Sequence, residues 1–255
     1  MEYFADTTIA YDLIFKPDSQ RDTNTYLCDY FSSTYVLKEY KFLIKVAVDF
    51  HTKLINNKNL KNSFFELSKM YKSNKFSDKI FLILSKFINE DDEQISFDEI
   101  LYKLEYFISD WCEQLFFNVI HKENLYNETR CKLSDLKFEK IPGTNIFKNE
   151  SFYCRKKDNI CDLEDFINKH IDEIKSISLK LVENKKILKK HEKENEILIE
   201  ILKDYRNGKG KNCSKIGDII IALESPKKYT IISTDHFFEF LGEILNKKTE
   251  IKKYI

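Results

Sequence analysis

The sequence predicts an α/β protein in which the two ends of the chain form a central parallel sheet, separated by a large α-helical insertion. Two short apolar segments, residues 2–6 and 229–234, have the character of buried strands, and a helical pattern follows each. Between them, from about residue 60 to residue 204, apolar residues recur mostly at three- and four-residue steps. Only five Gly and three Pro interrupt the chain, which favours long helices over a turn-rich all-β fold.

The composition indicates a soluble protein with a substantial core. The chain has 255 residues, of which 42% are apolar, and its formal net charge is zero. Zero net charge excludes a global attraction to nucleic acid, so such a contact requires a local basic patch. No run of about 18 apolar residues occurs, and the first residues lack a basic segment followed by an apolar stretch. These features predict a cytoplasmic protein with no membrane partner.

The N-terminal segment places two acids next to predicted elements of regular structure. The strand-like residues 2–6 end in Asp6, and a helical pattern starts at Thr7. The short segment 31–33 leads into a second helix, whose apolar stripe runs from Val36 to Leu54. Glu39 lies about one turn into that helix, beside the stripe.

The predicted insertion contains two strong helical patterns. Ser96 and Glu99 form a capping box before a stripe that runs from Phe97 to Val119, and Trp111 in that stripe is interpreted as core. Residues 121–160 lose this periodicity. From residue 163 to residue 202 apolar residues follow alternating four- and three-residue steps, which predicts a helical hairpin or a projecting coiled coil.

The C-terminal segment repeats the association of acids with strand and helix ends. After a loop at residues 207–214, Gly217 and Asp218 begin a short apolar helix that ends near Glu224. The strand-like residues 229–234 follow, and Asp235 comes directly after them. The role of Glu224 stays open, because it lies close to this pattern yet also ends a helix.

Three of these acids are predicted to meet at one edge of the sheet. Asp6 and Asp235 stand at the carboxyl ends of predicted strands, where ligands bind in open α/β sheets, and Asp218 starts a helix. Carboxylates gathered at one edge repel one another unless a divalent cation neutralises them, and an oxygen-rich site of this type suits Mg²⁺ or Mn²⁺. The alternative is a purely structural role, in which these acids only close turns and cap helices.

Three separated segments together resemble the PIN-domain family of nucleases. Residues 4–11, Phe-Ala-Asp-Thr-Thr-Ile-Ala-Tyr, resemble the first strand and first acid of the family. Residues 32–39, Ser-Ser-Thr-Tyr-Val-Leu-Lys-Glu, resemble the second motif, and residues 217–224 with 231–238 resemble the third and fourth motifs. The resemblance divides the chain into a discontinuous PIN-like domain of residues 1–56 and 207–255, and a helical insertion of residues 57–206 that the compact family pattern lacks.

The resemblance implies a three-layer fold and a metal-dependent endonuclease. Its catalytic and metal-binding residues would be Asp6, Glu39, Asp218 and Asp235, which would hold Mg²⁺ or Mn²⁺ for phosphodiester hydrolysis, usually of RNA. Thr7, Thr8 and Thr234 would support the acids. Roles as a bacterial toxin or defence effector, a protein inhibitor or other protein partner, and a homodimer are compatible with this interpretation.

Two other functional interpretations stay open at this stage. One is a catalytically inactive PIN-like scaffold that binds nucleic acid or a protein through the helical insertion. The other is a purely helical interaction protein, which predicts that no parallel sheet forms.

Two lesser signals involve cations and thiols. Arg206, Lys209, Lys211 and Lys215 form a basic loop that could contact phosphate. Four cysteines could supply a structural zinc site, although their spacing fits such sites poorly: Cys131, Cys154, Cys161 and Cys213. The two remaining cysteines, Cys28 and Cys112, lie in apolar helical patterns and are predicted to be core residues.

Overall fold

The computed structural model describes residues 2–15, 29–71, 80, 83–84, 96–148 and 161–252. Cys28, predicted as a core residue, and Cys154, one of the four possible zinc ligands, lie outside these residues. Cys112 is buried, as predicted for a core cysteine.

A five-stranded sheet forms the centre of the fold, and all its strand pairs are parallel. The strands are β1 (Glu2–Ala5), β2 (Asp29–Ser33), β3 (Leu125–Tyr126), β4 (Thr230–Ser233) and β5 (Lys248–Ile251). Their order is β3-β2-β1-β4-β5, so β1 lies between β2 and β4, with Phe4 opposite Phe31 and Ile231. The predicted α/β class with a parallel sheet is confirmed, and the purely helical alternative is wrong.

Helices flank the sheet. They are α1 (Thr7–Phe15), α2 (Thr34–Asn57), α3 (Leu60–Tyr71), α4 (Phe97–Tyr106), α5 (Cys112–Val119), α6 (Leu163–Lys169), α7 (Ile171–Glu183), α8 (Lys185–Leu188), α9 (Glu192–Lys203), α10 (Lys211–Lys215), α11 (Gly217–Glu224) and α12 (Phe237–Leu245). Helices α1 and α11 both pack on α2, and α12 packs on α11, β4 and β5. Within the described residues, the structure contains no helix with the length and apolar character needed to span a membrane.

Helix α2 connects the sheet to the insertion. Ser33, the last residue of β2, caps it by accepting a 3.3 Å hydrogen bond from the amide of Val36. The helix ends where Lys58 adopts a left-handed conformation and its amide donates to the carbonyl of Leu54. Over 24 residues α2 contacts α1 and α11 as well as α3 and α4, so one helix packs on both parts of the chain.

The segment predicted as an insertion also contributes to the sheet. The two-residue strand β3 lies within residues 57–206 and pairs with the end of β2. The predicted cap at Ser96 is present, since its hydroxyl accepts from the amide of Glu99 at 3.2 Å. The stripe that follows is divided by a π-helical turn at Phe107–Trp111, which separates α4 from α5.

The long helical pattern of residues 163–202 is a helical hairpin and not one continuous rod. It is divided into α6, α7, α8 and α9, with breaks at His170, at Asn184 and at residues 189–191. Helices α7 and α9 pack on each other, and the hydroxyl of Ser178 donates to Asn195 Oδ1 at 2.9 Å. Helix α7 also packs on α12, which brings the hairpin against the C-terminal part of the sheet domain.

Candidate acidic site at the carboxyl edge of the sheet

Asp6 is fixed at the carboxyl end of the central strand. Its side chain is only 3% exposed, and its Oδ1 accepts from the amide of Ile9 at 2.8 Å, so it caps α1. Its Oδ2 accepts from the hydroxyl of Ser233 at 2.6 Å. Burial raises the pKa of Asp6 to about 6; these two hydrogen bonds oppose the rise, and the charges of Glu39 and Asp235 add to it.

Ser233, at the end of β4, links two of the predicted acids. Its hydroxyl donates to Asp6 and accepts a 2.9 Å hydrogen bond from the amide of Asp235. The sequence analysis named Thr234 as the supporting residue on this strand, but it is the fully buried Ser233 that makes these contacts. Side chains alternate along a strand, so a shift of one residue moves a side chain to the other face.

Glu39 reaches the edge from the first turns of α2. Its Oε2 accepts a short hydrogen bond from the hydroxyl of Thr7, a predicted supporting residue, and Thr8 lies beside Thr7 in the first turn of α1. A Cβ atom on Gly217 would lie 2.9 Å from Glu39 Oε1 and 3.1 Å from the hydroxyl of Tyr35. A side chain at position 217 would therefore require the Glu39 carboxylate to move.

Asp218 follows Gly217 in the first turn of α11. Ile216 occupies the cap position of this helix, which has no capping side-chain hydrogen bond, so Asp218 does not cap α11. Burial raises the pKa of Asp218 to about 7, and four neighbouring carboxylates add to the rise: Glu39, Asp235, Asp6 and Glu194.

Asp235 is the exposed member of the set. Its Oδ1 accepts from the amide of Phe237 at 2.8 Å, which stabilises the first turn of α12. Thr234, half-buried, precedes it. The structure thus brings Asp6, Glu39, Asp218 and Asp235 within electrostatic range of one another at the carboxyl edge of the sheet.

A buried lysine lies on the inner side of this edge. Lys38 is 8% exposed, and its Nζ lies 4.1 Å from the centre of the Tyr35 ring and 3.7 Å from Cys213 Sγ. Burial lowers its pKa, but its interactions with Cys213, Glu39 and Cys131 raise it by more, and the net shift is upward. Lys38 is therefore charged and offsets part of the negative charge beside Glu39.

The basic loop occupies two kinds of environment. Lys209 is buried and forms a 2.7 Å ion pair with Glu164, and Arg206 pairs with Asp204 at 2.8 Å. Lys211 and Lys215 are exposed on α10, directly before α11. Of the four predicted phosphate contacts, Arg206, Lys211 and Lys215 are exposed and Lys209 is buried.

No preassembled metal centre is visible in the part of the chain that the structure describes. Among those residues, no group of three or more His, Cys, Asp or Glu side chains is close enough to hold a metal ion. Neither the acids of the sheet edge nor the thiols of Cys131, Cys161 and Cys213 form such a group among the described residues. Of the three described cysteines of the zinc alternative, Cys131 and Cys213 are buried and Cys161 is half-buried.

Glu224 lies away from the acidic edge. It ends α11, six residues and thus about 9 Å along the helix axis from Asp218. It is 1% exposed, and its Oε1 accepts from the amide of Thr129 at 3.0 Å, which connects α11 to the loop after β3. This contact indicates a structural role.

The Glu224→Gln variant tests that role. Burial raises the pKa of Glu224, so the folded state binds its proton more tightly than the unfolded state does. Wild-type stability should therefore rise as the pH falls from 8, and Gln, which carries no charge, should raise the free energy of unfolding at pH 8. Urea unfolding at pH 8 and at a lower pH measures this difference, and a loss of stability at pH 8 would contradict it.

Two acidic-site neighbours come from positions that the sequence analysis did not select. Glu194, in the first turn of α9, acts on Asp218 from within the insertion. Lys252, which follows β5, donates its amide to the carbonyl of Ser233 at 2.8 Å and so stands at the same edge. Neither belongs to a local motif, and only the tertiary packing brings them to the site.

Comparison of the chain with models of known families, with curated proteins and with solved structures finds no match. The fold and the geometry of the acidic edge are therefore the basis for assigning a function.

Proposed function

We propose that the protein is a PIN-like, metal-dependent nuclease that uses Asp6, Glu39, Asp218 and Asp235 to hydrolyse phosphodiester bonds. The observation that carries the proposal is the mutual electrostatic effect of these acids, which with burial raises the pKa of Asp6 to about 6 and that of Asp218 to about 7. Carboxylates that raise one another's pKa destabilise the folded state, and strongly shifted pKa values cluster at functional sites. The parallel sheet supports the proposal, because ligands bind at the carboxyl ends of its strands.

The chemistry of these residues fits Mg²⁺ or Mn²⁺. The donors are carboxylate oxygens, which hard divalent cations prefer, and their negative charge is only partly offset by Lys38. Among the described residues, no three of these side chains are placed to bind one ion together. Mg²⁺ usually keeps several of its waters and needs only one or two direct carboxylates, so this arrangement is compatible with binding.

A bound divalent cation would activate water and stabilise the charge that develops on the phosphate. The protein residues would prepare the site for this reaction. Ser233 and the amide of Ile9 hold Asp6 in one orientation, and Thr7 holds Glu39. The raised pKa of Asp218 means that a cation bound beside it would favour its deprotonated form.

The substrate proposed is single-stranded nucleic acid, with RNA as the first choice because of the resemblance to PIN domains. Lys211 and Lys215 are the proposed phosphate contacts, since both are exposed on α10 immediately before the helix that carries Asp218. Lys209 is buried in an ion pair and would serve this purpose less well, whereas Arg206 is exposed and its ion pair with Asp204 is of the weak surface type.

The proposal predicts that the wild-type protein binds Mn²⁺ and cleaves labelled single-stranded RNA only when the ion is present. Calorimetry measures binding, and a gel assay with RNA and with DNA of the same sequence measures cleavage and the preferred substrate. The control is Asp29→Asn, because Asp29 is an exposed acid that begins β2 and lies at the opposite edge of the sheet from Asp6. The control should behave as wild type; absence of both binding and cleavage in the wild type would sink the nuclease proposal.

The alternative proposal is a catalytically inactive scaffold that binds a partner through the insertion. It draws support from the lack of a preassembled metal group among the described residues and from exposed apolar side chains on the hairpin. These side chains are Leu179 and Val182 on α7 and Ile199 and Leu202 on α9. A protein that binds no Mn²⁺ yet keeps its fold would favour this alternative.

A further inference from the structure

The turn between α8 and α9 packs directly on the first turn of α12. The imidazole ring of His191 lies parallel to the ring of Phe237, with centroids 3.8 Å apart and an interplanar angle of 12°. The ring of Phe240 is also nearly parallel to that of Phe237, with centroids 5.9 Å apart. The insertion thus covers one face of Phe237 with an aromatic ring in close contact.

Phe237 is the residue whose backbone orients Asp235. Its amide donates to Asp235 Oδ1 at 2.8 Å, while the amide of Asp235 itself donates to Ser233. Phe237 is 4% exposed, whereas the carboxylate of Asp235 is exposed. The position of this exposed acid therefore depends on the first turn of α12, and the stack of His191 on Phe237 stabilises that turn.

The first turn of α9, which follows His191, lies within electrostatic range of the acidic edge. Glu194 lies three residues after His191, and its charge contributes to the raised pKa of Asp218. His191 thus acts on Asp235 indirectly, through its stack on Phe237. Glu194 acts on Asp218 electrostatically. Residues from the middle of the chain complete the surroundings of a site that the two ends form.

We propose that His191 is a positioning residue for the acidic site and fixes Asp235 through its stack on Phe237. The inference rests on the proposed nuclease function and assigns part of the helical hairpin to the nuclease centre.

The stacking surface, and not the imidazole chemistry, is what this role requires. His191 Nδ1 is buried, lies 3.8 Å from Glu194 Oε1 and makes no hydrogen bond with the residues that the structure describes. A Phe side chain at this position would keep a flat ring against Phe237 without losing a hydrogen bond made by Nδ1. An Ala side chain would leave a gap beneath Phe237 and loosen the turn that carries Asp235.

The experiment compares His191→Ala and His191→Phe in the full chain. For His191→Ala we expect about a tenfold rise in the Kd for Mn²⁺ and about a tenfold fall in kcat with little change in KM, as when an outer-shell support of a metal ligand is removed. For His191→Phe we expect both quantities to stay within about twofold of wild type, because packing that orients the ligand is retained. Calorimetry gives the Kd, and cleavage of labelled RNA gives kcat and KM.

His170→Ala is the matched control for these variants. His170 is also in the insertion, is similarly buried and contacts an aromatic ring, that of Phe166 at 4.7 Å, but it packs near Glu128 and Glu173. It should lower the unfolding temperature without changing Kd or kcat. Equal effects of His170→Ala and His191→Ala, or no rescue by His191→Phe, would overturn the positioning role. A wild type that neither binds Mn²⁺ nor cleaves would instead overturn the underlying function.

Discussion

Asp218→Asn should abolish Mn²⁺-dependent cleavage and at the same time stabilise the metal-free protein at pH 8. Loss of cleavage by about 10³-fold or more corresponds to about 4 kcal/mol of transition-state stabilisation, a reasonable effect for a carboxylate that holds the catalytic ion. The stabilisation follows from the raised pKa, because the folded state keeps a charged Asp218 near Glu39, Asp235 and Asp6. Asn removes that charge.

The sign of the stability change depends on pH. The folded-state pKa of Asp218 is about 7 and the ordinary value is 3.8, so the folded state binds the proton more tightly. Wild-type stability should therefore rise as the pH falls from about 8 towards 4, and the advantage of Asn should shrink over the same window. At pH 8 we expect a gain of about 1–3 kcal/mol, reduced from the full linkage value because the side chain is partly exposed and several acids share the interaction.

Urea unfolding of Asp218→Asn in the presence of a chelator, at pH 8 and at pH 5, measures this gain. Asp29→Asn serves again as the control and should change stability little at either pH. Asp218 separates the functional interpretation from the structural one better than Asp6 or Asp235, because those two also cap helices and Asp218 does not. Destabilisation at pH 8 together with retained cleavage would mean that Asp218 has a purely structural role.

Tyr40→Ala should destabilise the whole described fold, with a loss of about 3–5 kcal/mol in the free energy of unfolding. Tyr40 is fully buried on α2, and its hydroxyl donates to the carbonyl of Cys112 at 2.8 Å. Its ring packs between Tyr11 and Phe15 of α1 and Phe116 of α5. The truncation would leave a cavity where the sheet domain and the insertion meet.

Two variants define the controls for Tyr40→Ala. Tyr40→Phe keeps the ring and loses only the hydrogen bond to Cys112, so about 1 kcal/mol is expected. Tyr102→Ala removes the same side chain from a position that is 69% exposed on α4, and it should cost less than about 0.5 kcal/mol. Unfolding followed by circular dichroism and by Trp111 fluorescence should show one shared transition. Two separate transitions, with only one shifted by Tyr40→Ala, would mean that the insertion folds independently.

The central part of the fold is predictable from the sequence because its signals are local. Strands β1 and β4 are apolar runs that end beside an acid, and α11 begins at a Gly-Asp pair. Strand β3 has only two residues, and β5 carries Lys248 and Glu250, so neither has the apolar pattern of a buried strand. Both lie at the edges of the sheet, where one side of a strand has no partner strand and the apolar demand is weaker.

The site is only partly predictable, for a different reason. Motif order selects the four acids and Thr7, but it selects Thr234 where Ser233 makes the contacts, because a motif does not define which face of the strand each side chain occupies. His191 and Glu194 belong to a helical hairpin whose many Lys and Glu residues predict a solvent-exposed helix face. Their approach to Asp235 and Asp218 is a product of packing between distant segments, and no spacing along the chain encodes it.

The position of β1 in the middle of the sheet has a consequence for biosynthesis. Tyr3 pairs with Thr230, so β1 is synthesised more than two hundred residues before β4, its second neighbour. Contacts of such long sequence separation slow folding, since a large loop must close before they form. During translation the nascent chain would present Asp6 and Glu39 without Asp218 and Asp235. The proposed nuclease activity would therefore be absent until α11 and β4 have been synthesised and have packed beside β1.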